Sequence, residues 1–445
     1  MLDKVKVLMV ALLITSPFIS HSACVRVANT NLLTSDLISA GYTAAAWTGA
    51  NHGLSGKLGL PSQISISSNN SLMPGGTLLA STLSNFLTGA SSTAFTAKQI
   101  LFRCDIADAN SLSEVYATQS TFPLSGGTET TDIEHAYHTF VAGVAIRLTN
   151  QKTGNYFTRY WQSRQLTSDD WVQDENYIYI PASAFSDVYV ELFKTASTAA
   201  AGIVTSPYLY TYAHDAGFIT FRGPGLSNWG IVDGRLLGSN YPGWPTQWPG
   251  YFGMYNDVTF VRGAMCMVKE YPSVVNLPAI SNSSISNGDT SQNTFSISLS
   301  CEDSAASGVG NIGTGTASSV VAMGFLANQP SAVTAAINLG LQTTSGGLTH
   351  LLDTNYGSEG VASGVGIRIY GESGNALNLL PSKTTRTGNQ GGWYAYKDLT
   401  TSQGDSTDGI TTYTGNFTAS LEAISGQTPT AGTVNAQLQV VVSFQ

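Results

Sequence analysis

The chain has little charge and few cations. Charged residues make up 11% of its 445 residues, and 19 Lys and Arg stand against 28 Asp and Glu, for a net charge of −9. Nucleic-acid-binding proteins present a basic stripe or patch, which so few cations do not supply. Anionic membrane surfaces attract clusters of basic residues, and a chain with so few cations would be attracted only weakly. We therefore expect no nucleic-acid partner and no anionic membrane surface.

The sequence also lacks the common motifs of catalytic and metal sites. It contains no GxSxG, HExxH, P-loop or CxxC pattern, so nothing indicates an enzyme, a metal or a cofactor. His135 and His138 in "HAYH" would face opposite sides of a strand, which is poor metal-binding geometry. A surface or strand edge is the preferred interpretation. A glycosidase, with two carboxyl groups across a cleft, remains an alternative.

The apolar segment at the start is too short for a membrane helix. Lys4 and Lys6 precede "VLMVALLI" (7–14), and the small residues "SHSA" (20–23) follow. This order is typical of a secretory signal peptide, whereas a membrane-spanning helix needs about 20 apolar residues. We predict that residues 1–23 are a signal peptide and that the protein is exported.

Four cysteines follow the predicted signal: Cys24, Cys104, Cys266 and Cys301. An even number in an exported chain indicates disulfide bonds, and four cysteines allow three connectivities. Sequential pairing would place one bridge in each half of the chain.

Short strand-like segments dominate both halves. The clearest are "TFVAGVAIRLTN" (139–150), "NYIYIPASAF" (176–185), "VYVELFKT" (188–195), "FSISLSC" (295–301) and "GVGIRIYG" (364–371). Each is bounded by turn residues, and only "SAVTAAINLGL" (331–341) predicts a short helix. The composition changes near "FVRGAMC" (260–266), after six of the seven Trp. We predict an all-β fold of two antiparallel β-sandwiches.

The chain ends in its most regular alternation, "GTVNAQLQVVVSFQ" (432–445). Apolar residues alternate with polar ones, and only Val441 breaks the pattern. Such a pattern predicts a strand with one buried face. By periodicity alone, this segment is the last strand of a complete sandwich.

Specific residues give the second half a resemblance to a known family. Cys266 precedes the apolar "YPSVVNLPAI" (271–280), Cys301 closes "TFSISLSC", Gly432 lies fourteen residues from the end and Phe444 is next to last. Together they resemble the pilin domains of chaperone–usher fimbriae, which usually carry Tyr where this chain has Phe444. The resemblance covers about residues 264–445, with Gly- and Ser-rich tracts such as 304–319 as enlarged loops.

The resemblance implies an incomplete immunoglobulin-like sandwich that lacks its last strand. In that family a periplasmic chaperone lends a strand, and the N-terminal extension of the next pilin subunit then replaces it at an outer-membrane usher. The expected disulfides are Cys24–Cys104 and Cys266–Cys301. The residues expected in the chaperone-binding strand are Gly432, Val434, Ala436, Leu438, Val440, Val442, Phe444 and Gln445.

The order of the two domains resembles that of two-domain tip adhesins. Cys24 lies at the predicted mature N-terminus, so we expect no donor extension and a position at the fimbrium tip on the cell surface. Residues 24–260 would then form a lectin-like sandwich that binds a host or surface glycan. The net charge of −9 favours a neutral sugar. A structural tip or adaptor subunit without glycan binding is the main alternative.

Three loops of the first half combine aromatic residues with hydrogen-bonding side chains. Aromatic faces stack on sugars, and loops on a rigid scaffold commonly carry binding. Alternatively, the rings cover the sandwich end or the domain junction. The candidate ligand-binding residues are Trp244, Trp248 and Tyr251 in 240–257, Trp229, Asp233 and Asn240 in 228–240, and Asp169, Asp170 and Trp171 in 168–176.

Overall fold

A computed structural model describes residues 23–444 except 54–55, 68, 198–201, 311–319, 386 and 405. Residues 1–22 of the predicted signal peptide and Gln445 lie outside the described residues. Strands dominate, as predicted, and no helix in the described ranges is long and apolar enough to span a bilayer. The α-helices are α1 (Ser35–Ser39), α2 (Phe86–Gly89), α3 (Asn282–Ser286), α4 (Pro330–Asn338), α5 (Gly388–Gly391) and α6 (Tyr396–Leu399).

Four sheets form the first part of the chain. Their strands are β1 (Val25–Arg26), β2 (Gln63–Ile66), β3 (Leu78–Ser84), β4 (Ile100–Asp105), β5 (Ser113–Thr118), β6 (Tyr137–His138), β7 (Val144–Asn150), β8 (Gln162–Gln165), β9 (Val172–Gln173), β10 (Tyr177–Pro181), β11 (Val188–Lys194), β12 (Tyr208–Leu209), β13 (Gly217–Arg222), β14 (Gly250–Phe252) and β15 (Thr259–Arg262). The strand orders are β1-β4-β10-β9, β3-β11-β7-β6, β12-β15-β2 and β14-β13-β5-β8. Buried side chains such as Phe102, Ile146 and Phe221 form one core between them.

Two sheets form the second part. Their strands are β16 (Cys266–Glu270), β17 (Ser291–Glu302), β18 (Ala306–Ser307), β19 (Val320–Ala327), β20 (Val365–Tyr370), β21 (Ala376–Leu377), β22 (Trp393–Ala395), β23 (Thr401–Ser402), β24 (Ile410–Ala423) and β25 (Leu438–Phe444). One sheet runs β16-β17-β24-β20-β21, and the other is built on β19. Phe325 of β19 packs edge-to-face on Phe417 of β24 at 5.0 Å between ring centroids, so the sheets share a sandwich core.

One disulfide lies in each part. Cys24 pairs with Cys104 of β4, and Cys266 pairs with Cys301 directly across the β16–β17 register. The parts meet between the end of β15 and the start of β16, which three residues separate. The Ser67 hydroxyl donates to the Glu302 carboxylate across this junction.

Two details of the sequence prediction need correction. The pairing is not wholly antiparallel, because β2 runs parallel to β15 and β18 parallel to β19. The terminal strand begins at Leu438 rather than Gly432, because the preceding backbone bonds to the 353–362 loop; Thr433 N donates to Gly360 O at 3.0 Å. A Cβ at Gly432 would collide with that loop's backbone.

Two other details agree with the sequence. Most of the segment 331–341 forms a helix, α4, which ends at Asn338. Gly340, two residues later, has a positive φ of 72°. Val441, the residue that breaks the terminal alternation, is buried beside Leu380 and Trp393 on the second face of β25. That face of the strand is therefore covered at Val441, while Gln439 on the same face is exposed.

Candidate functional site

A pocket of about 220 Å³ opens beside the β14-β13-β5-β8 sheet. It combines apolar rings with a few polar side chains, the usual character of small-ligand pockets. Residues far apart in sequence meet here: His52, Gln119, Thr121, Phe122, Phe218, Tyr241 and Trp244. Leu237 and Trp248 complete the lining, and of all these residues Trp244 and Trp248 were sequence candidates.

Backbone contacts hold the His52 segment against the Trp244 loop. Ala50 N donates to Trp248 O at 2.8 Å, and Gly53 N donates to Ala213 O at 2.6 Å. Gly49 approaches the loop so closely that a Cβ would collide with the Pro245 carbonyl. His52 is therefore carried to the pocket by two fixed anchors on either side of it.

Neighbouring rings fix the orientation of Trp244. Its indole packs edge-to-face on Phe218 at 5.3 Å and on Trp248 at 5.2 Å between centroids. The His52 ring lies tilted at 5.1 Å from it. Trp244 is half-buried, so it presents a fixed partial ring surface to the pocket.

Trp248 and Tyr251 belong to the core rather than to an exposed platform. Both side chains are 0% exposed. Trp248 lines the pocket, packs edge-to-face on Trp244 and donates from Nε1 to Pro242 O at 3.0 Å. The Tyr251 hydroxyl lies 3.3 Å from Ser91 Oγ. Neither ring presents an exposed face for stacking, and the contact of these two residues with a ligand stays a prediction.

His52, which lines the pocket, lies beside a second imidazole and a buried carboxylate. The His52 and His214 rings are 4.5 Å apart, and His52 Nδ1 is 3.7 Å from Asp215 Oδ2. His214 also stacks on Phe122 at 3.5 Å between centroids. Burial, and secondarily the nearby His52, lowers the pKa of His214, which favours its uncharged form.

The second candidate loop separates into an exposed ring and structural polar groups. Trp229 is 46% exposed and does not line the pocket. Asn240 Oδ1 accepts from Val232 N at 2.8 Å, and Asp233 Oδ1 accepts from Arg222 Nη1 at 2.9 Å. Asp233 and Asn240 thus hold the shape of their loop, so the expectation that they bind ligand has no support from this geometry.

The third candidate loop lies at a structural ion network. Asp170 accepts from Arg164 Nη1 at 2.8 Å and from Lys152 Nζ at 3.1 Å, and Arg164 Nε donates to Glu114 at 2.7 Å. Burial alone would raise the pKa of Asp170, but the hydrogen bonds from Arg164, Thr167 N and Lys152 outweigh it and lower that pKa. Asp170 therefore has structural partners in this network, and its contact with a ligand stays a prediction.

The flanking residues of this loop contribute no pocket either. Asp169 is exposed. Trp171 is half-buried against the core and donates from Nε1 to Gln173 Oε1 at 3.0 Å. Neither side chain lines the pocket at Trp244.

The two histidines of "HAYH" lie apart. His138 is buried with Nε2 3.2 Å from Ser197 Oγ, whereas His135 lies beside Glu129, with 3.5 Å from its Nδ1 to the carboxylate. No three His, Cys, Asp or Glu side chains in the described ranges are grouped to hold a metal ion.

The second part of the chain has an open edge at β25. β25 pairs with one edge of β19, while β18 and β22 pair with the opposite edge. Within the described residues, β25 has no second strand partner. Leu438, Val440 and Val442 pack on the sandwich core yet stay half-buried.

The segments next to β25, namely β16 and residues 271–280, also leave apolar side chains half-buried. β16 contacts β25, and the chain then continues as the segment 271–280, which forms no strand. Val268, Val275 and Leu277 pack on the same core but are half-buried too. We call the half-buried apolar row on β25, β16 and 271–280 the edge groove.

Comparisons with known proteins find a family match in the second part. Residues 254–445 match the family described as fimbrial protein, and the match covers the region whose cysteines and terminal strand resemble that family. No curated protein sequence matches the chain.

Solved structures of fimbrial proteins are similar to this chain at low identity. The CupB6 tip adhesin from Pseudomonas aeruginosa is 13% identical, with 89% of this chain and 95% of that chain covered and a TM-score of 0.24. The CsuC–CsuE chaperone–tip adhesion subunit complex from Acinetobacter baumannii is 11% identical, with 86% of this chain and 97% of that chain covered and a TM-score of 0.21. The P pilus rod subunit PapA is 15% identical, with 42% of this chain and 94% of that chain covered and a TM-score of 0.22.

Proposed function

We propose that this protein, whose C-terminal part matches the fimbrial-protein family, is a two-domain fimbrial tip adhesin. It is exported through the periplasm, assembled by a chaperone–usher pathway and displayed at the cell surface. Its N-terminal domain, about residues 24–260, binds a neutral host or surface glycan without covalent chemistry, and its pilin domain, about 264–445, attaches it to the fibre.

The edge groove is the observation that carries this proposal. Apolar core side chains left half-buried, beside a strand with one unpaired edge, are the features that strand addition completes. Leu438, Val440 and Val442 would receive alternate side chains of an added strand. The occupant we propose is first a chaperone strand and then the N-terminal extension of the next pilin subunit.

The chain immediately before the pilin domain supports a tip position. That segment includes β15, which is hydrogen-bonded between β12 and β2, and Phe260 is buried in the N-terminal core. A segment held in this way is not available to complete another subunit. The pilin domain would thus accept a strand without donating one from its own N-terminal side.

The pocket at Trp244 supports the binding role of the N-terminal domain. It offers a fixed ring surface beside Gln119, Thr121 and Tyr241, which suits a sugar's apolar face and hydroxyls. One shallow site implies a monovalent Kd on the order of micromolar to millimolar, strengthened when many fibres engage one surface.

A glycan array with the full chain bound to its periplasmic chaperone tests the binding role. We expect signals on neutral glycans that the Trp244→Ala variant loses and the Trp229→Ala variant keeps. No signal on any glycan, with the chaperone complex intact, would leave a structural tip or adaptor subunit. Turnover of a bound oligosaccharide would instead identify a glycan-processing enzyme.

A further inference from the structure

The pocket at Trp244 contains a histidine that no sequence pattern singled out. Two anchors place His52, since Ala50 N bonds to the Trp244 loop and Gly53 N bonds to Ala213 O at 2.6 Å. Its Nδ1 is buried and faces the Asp215 carboxylate at 3.7 Å. Because Nδ1 is buried beside Asp215, Nε2, which is separated from it by Cε1, is the nitrogen that His52 can offer to the pocket.

The environment favours one tautomer of His52. A carboxylate facing Nδ1 favours a proton on that nitrogen, which leaves Nε2 as a hydrogen-bond acceptor. The neighbouring Gln119 has its Oε1 engaged by Thr121 N at 3.0 Å, so its amide NH₂ is the group it can present. The pocket therefore pairs an acceptor with a donor.

The dimensions of the pocket limit what can enter. A cavity of about 150 Å³ holds benzene, so about 220 Å³ suits one six-membered ring with its substituents. No Lys or Arg among the described residues lines the pocket, and the Asp215 carboxylate lies beside His52. An anionic ligand would therefore gain no favourable charge interaction. A ring with an apolar face and several hydroxyl donors matches Trp244, His52 and Gln119 together.

We propose that His52 is a ligand-contacting residue that fixes specificity for a single uncharged terminal pyranose, accepting a hydrogen bond at Nε2 from a sugar hydroxyl while Trp244 stacks on the ring. This rests on the proposed glycan-binding function and names the residue that selects the sugar.

The test uses the full chain bound to its periplasmic chaperone and four probes: the methyl glycosides of mannose, galactose, glucose and N-acetylglucosamine. Binding is measured by calorimetry and by saturation-transfer NMR for the parent and for His52→Asn, His52→Gln and His135→Asn. Asn cannot reach the position of Nε2, whereas Gln can place an amide group there. His135 is the matched control, because its side chain is 33% exposed against 30% for His52 and it lies outside the pocket.

We expect at least one probe to bind, with affinity reduced at least tenfold in His52→Asn, partly restored in His52→Gln and unchanged in His135→Asn. Parent-like affinity in His52→Asn would overturn the role of His52 while leaving glycan binding intact. Array binding of larger glycans with no response to any monosaccharide probe would overturn the single-ring pocket. If the parent chain bound no glycan at all, both this inference and the proposed function would be overturned.

Discussion

Glu114 gives the most quantitative test of the N-terminal scaffold. Its carboxylate is fully buried and accepts from Arg164 Nε at 2.7 Å, Asn150 Nδ2 at 3.2 Å and Ser186 N at 3.1 Å. Burial raises its pKa although Arg164 opposes the shift. All three partners are donors, so the site accommodates a carboxylate, and Glu114→Gln would turn an amide NH₂ toward at least one of them.

The expected cost follows from this geometry. Breaking one side of a buried ion pair costs about 3–5 kcal/mol, and each kcal/mol lowers Tm by about 2–4 °C in a domain of this size. We therefore expect Glu114→Gln to lower the melting temperature of the N-terminal domain by about 6–20 °C. Scanning calorimetry of the chaperone-bound chain measures it.

A matched substitution controls for nonspecific effects. Asp169 is exposed beside the same network, so Asp169→Asn should change the free energy of unfolding by no more than about 0.5 kcal/mol. A loss below about 1 kcal/mol in Glu114→Gln would refute the view that this network, including Asp170, is structural.

Three further outcomes follow from burial and charge. Trp248→Ala should lower the free energy of unfolding by about 3–5 kcal/mol in urea titrations, because the ring is fully buried; a parent-like midpoint would contradict its core role. Burial, then Arg368, lowers the pKa of His350 from 6.5 to about 4, so the unfolded chain binds more protons in that window. Stability of the pilin domain should fall as pH drops from about 6.5 to 4, and His350→Gln should flatten this profile; an unchanged slope would contradict it. Val440→Ala removes two carbons from the edge groove and should weaken chaperone binding about tenfold, whereas the exposed Gln439→Ala should not; equal effects would contradict the groove.

Strand patterns predicted the strands of the second part because alternating residues of a strand face opposite sides and differ in burial. The alternation through Leu438, Val440 and Val442 identifies the half-buried side of β25. Gly432 shows where this reasoning stops, since long-range hydrogen bonds to the 353–362 loop, not local pattern, end the strand at Leu438.

The pocket at Trp244 was only partly predictable, because loops have no periodicity that indicates which way a ring points. Trp244 and Trp248 lie four residues apart in one Pro-rich loop, yet one lines the pocket surface and the other is 0% exposed. His52, Gln119 and Phe122 come from other segments and join them only through tertiary contacts. No local signal in the sequence marks these three residues.

The same limit explains the acidic candidates. Adjacent acids such as Asp169 and Asp170 have the same local pattern, but only Asp170 meets Arg164 and Lys152. Arg164 lies in β8 and Lys152 in the 150–154 turn, both outside this loop. The loop sequence alone therefore does not indicate which acid is structural.

Expression of the full chain in the periplasm with and without its chaperone tests the central claim most directly, because an edge groove that awaits a strand should leave the pilin domain unable to fold alone. With the chaperone, we predict a soluble one-to-one complex that melts cooperatively and that deletion of residues 440–445 abolishes. Without the chaperone, we predict aggregation or degradation. A stable full-length monomer that unfolds cooperatively in the absence of any chaperone would contradict the account.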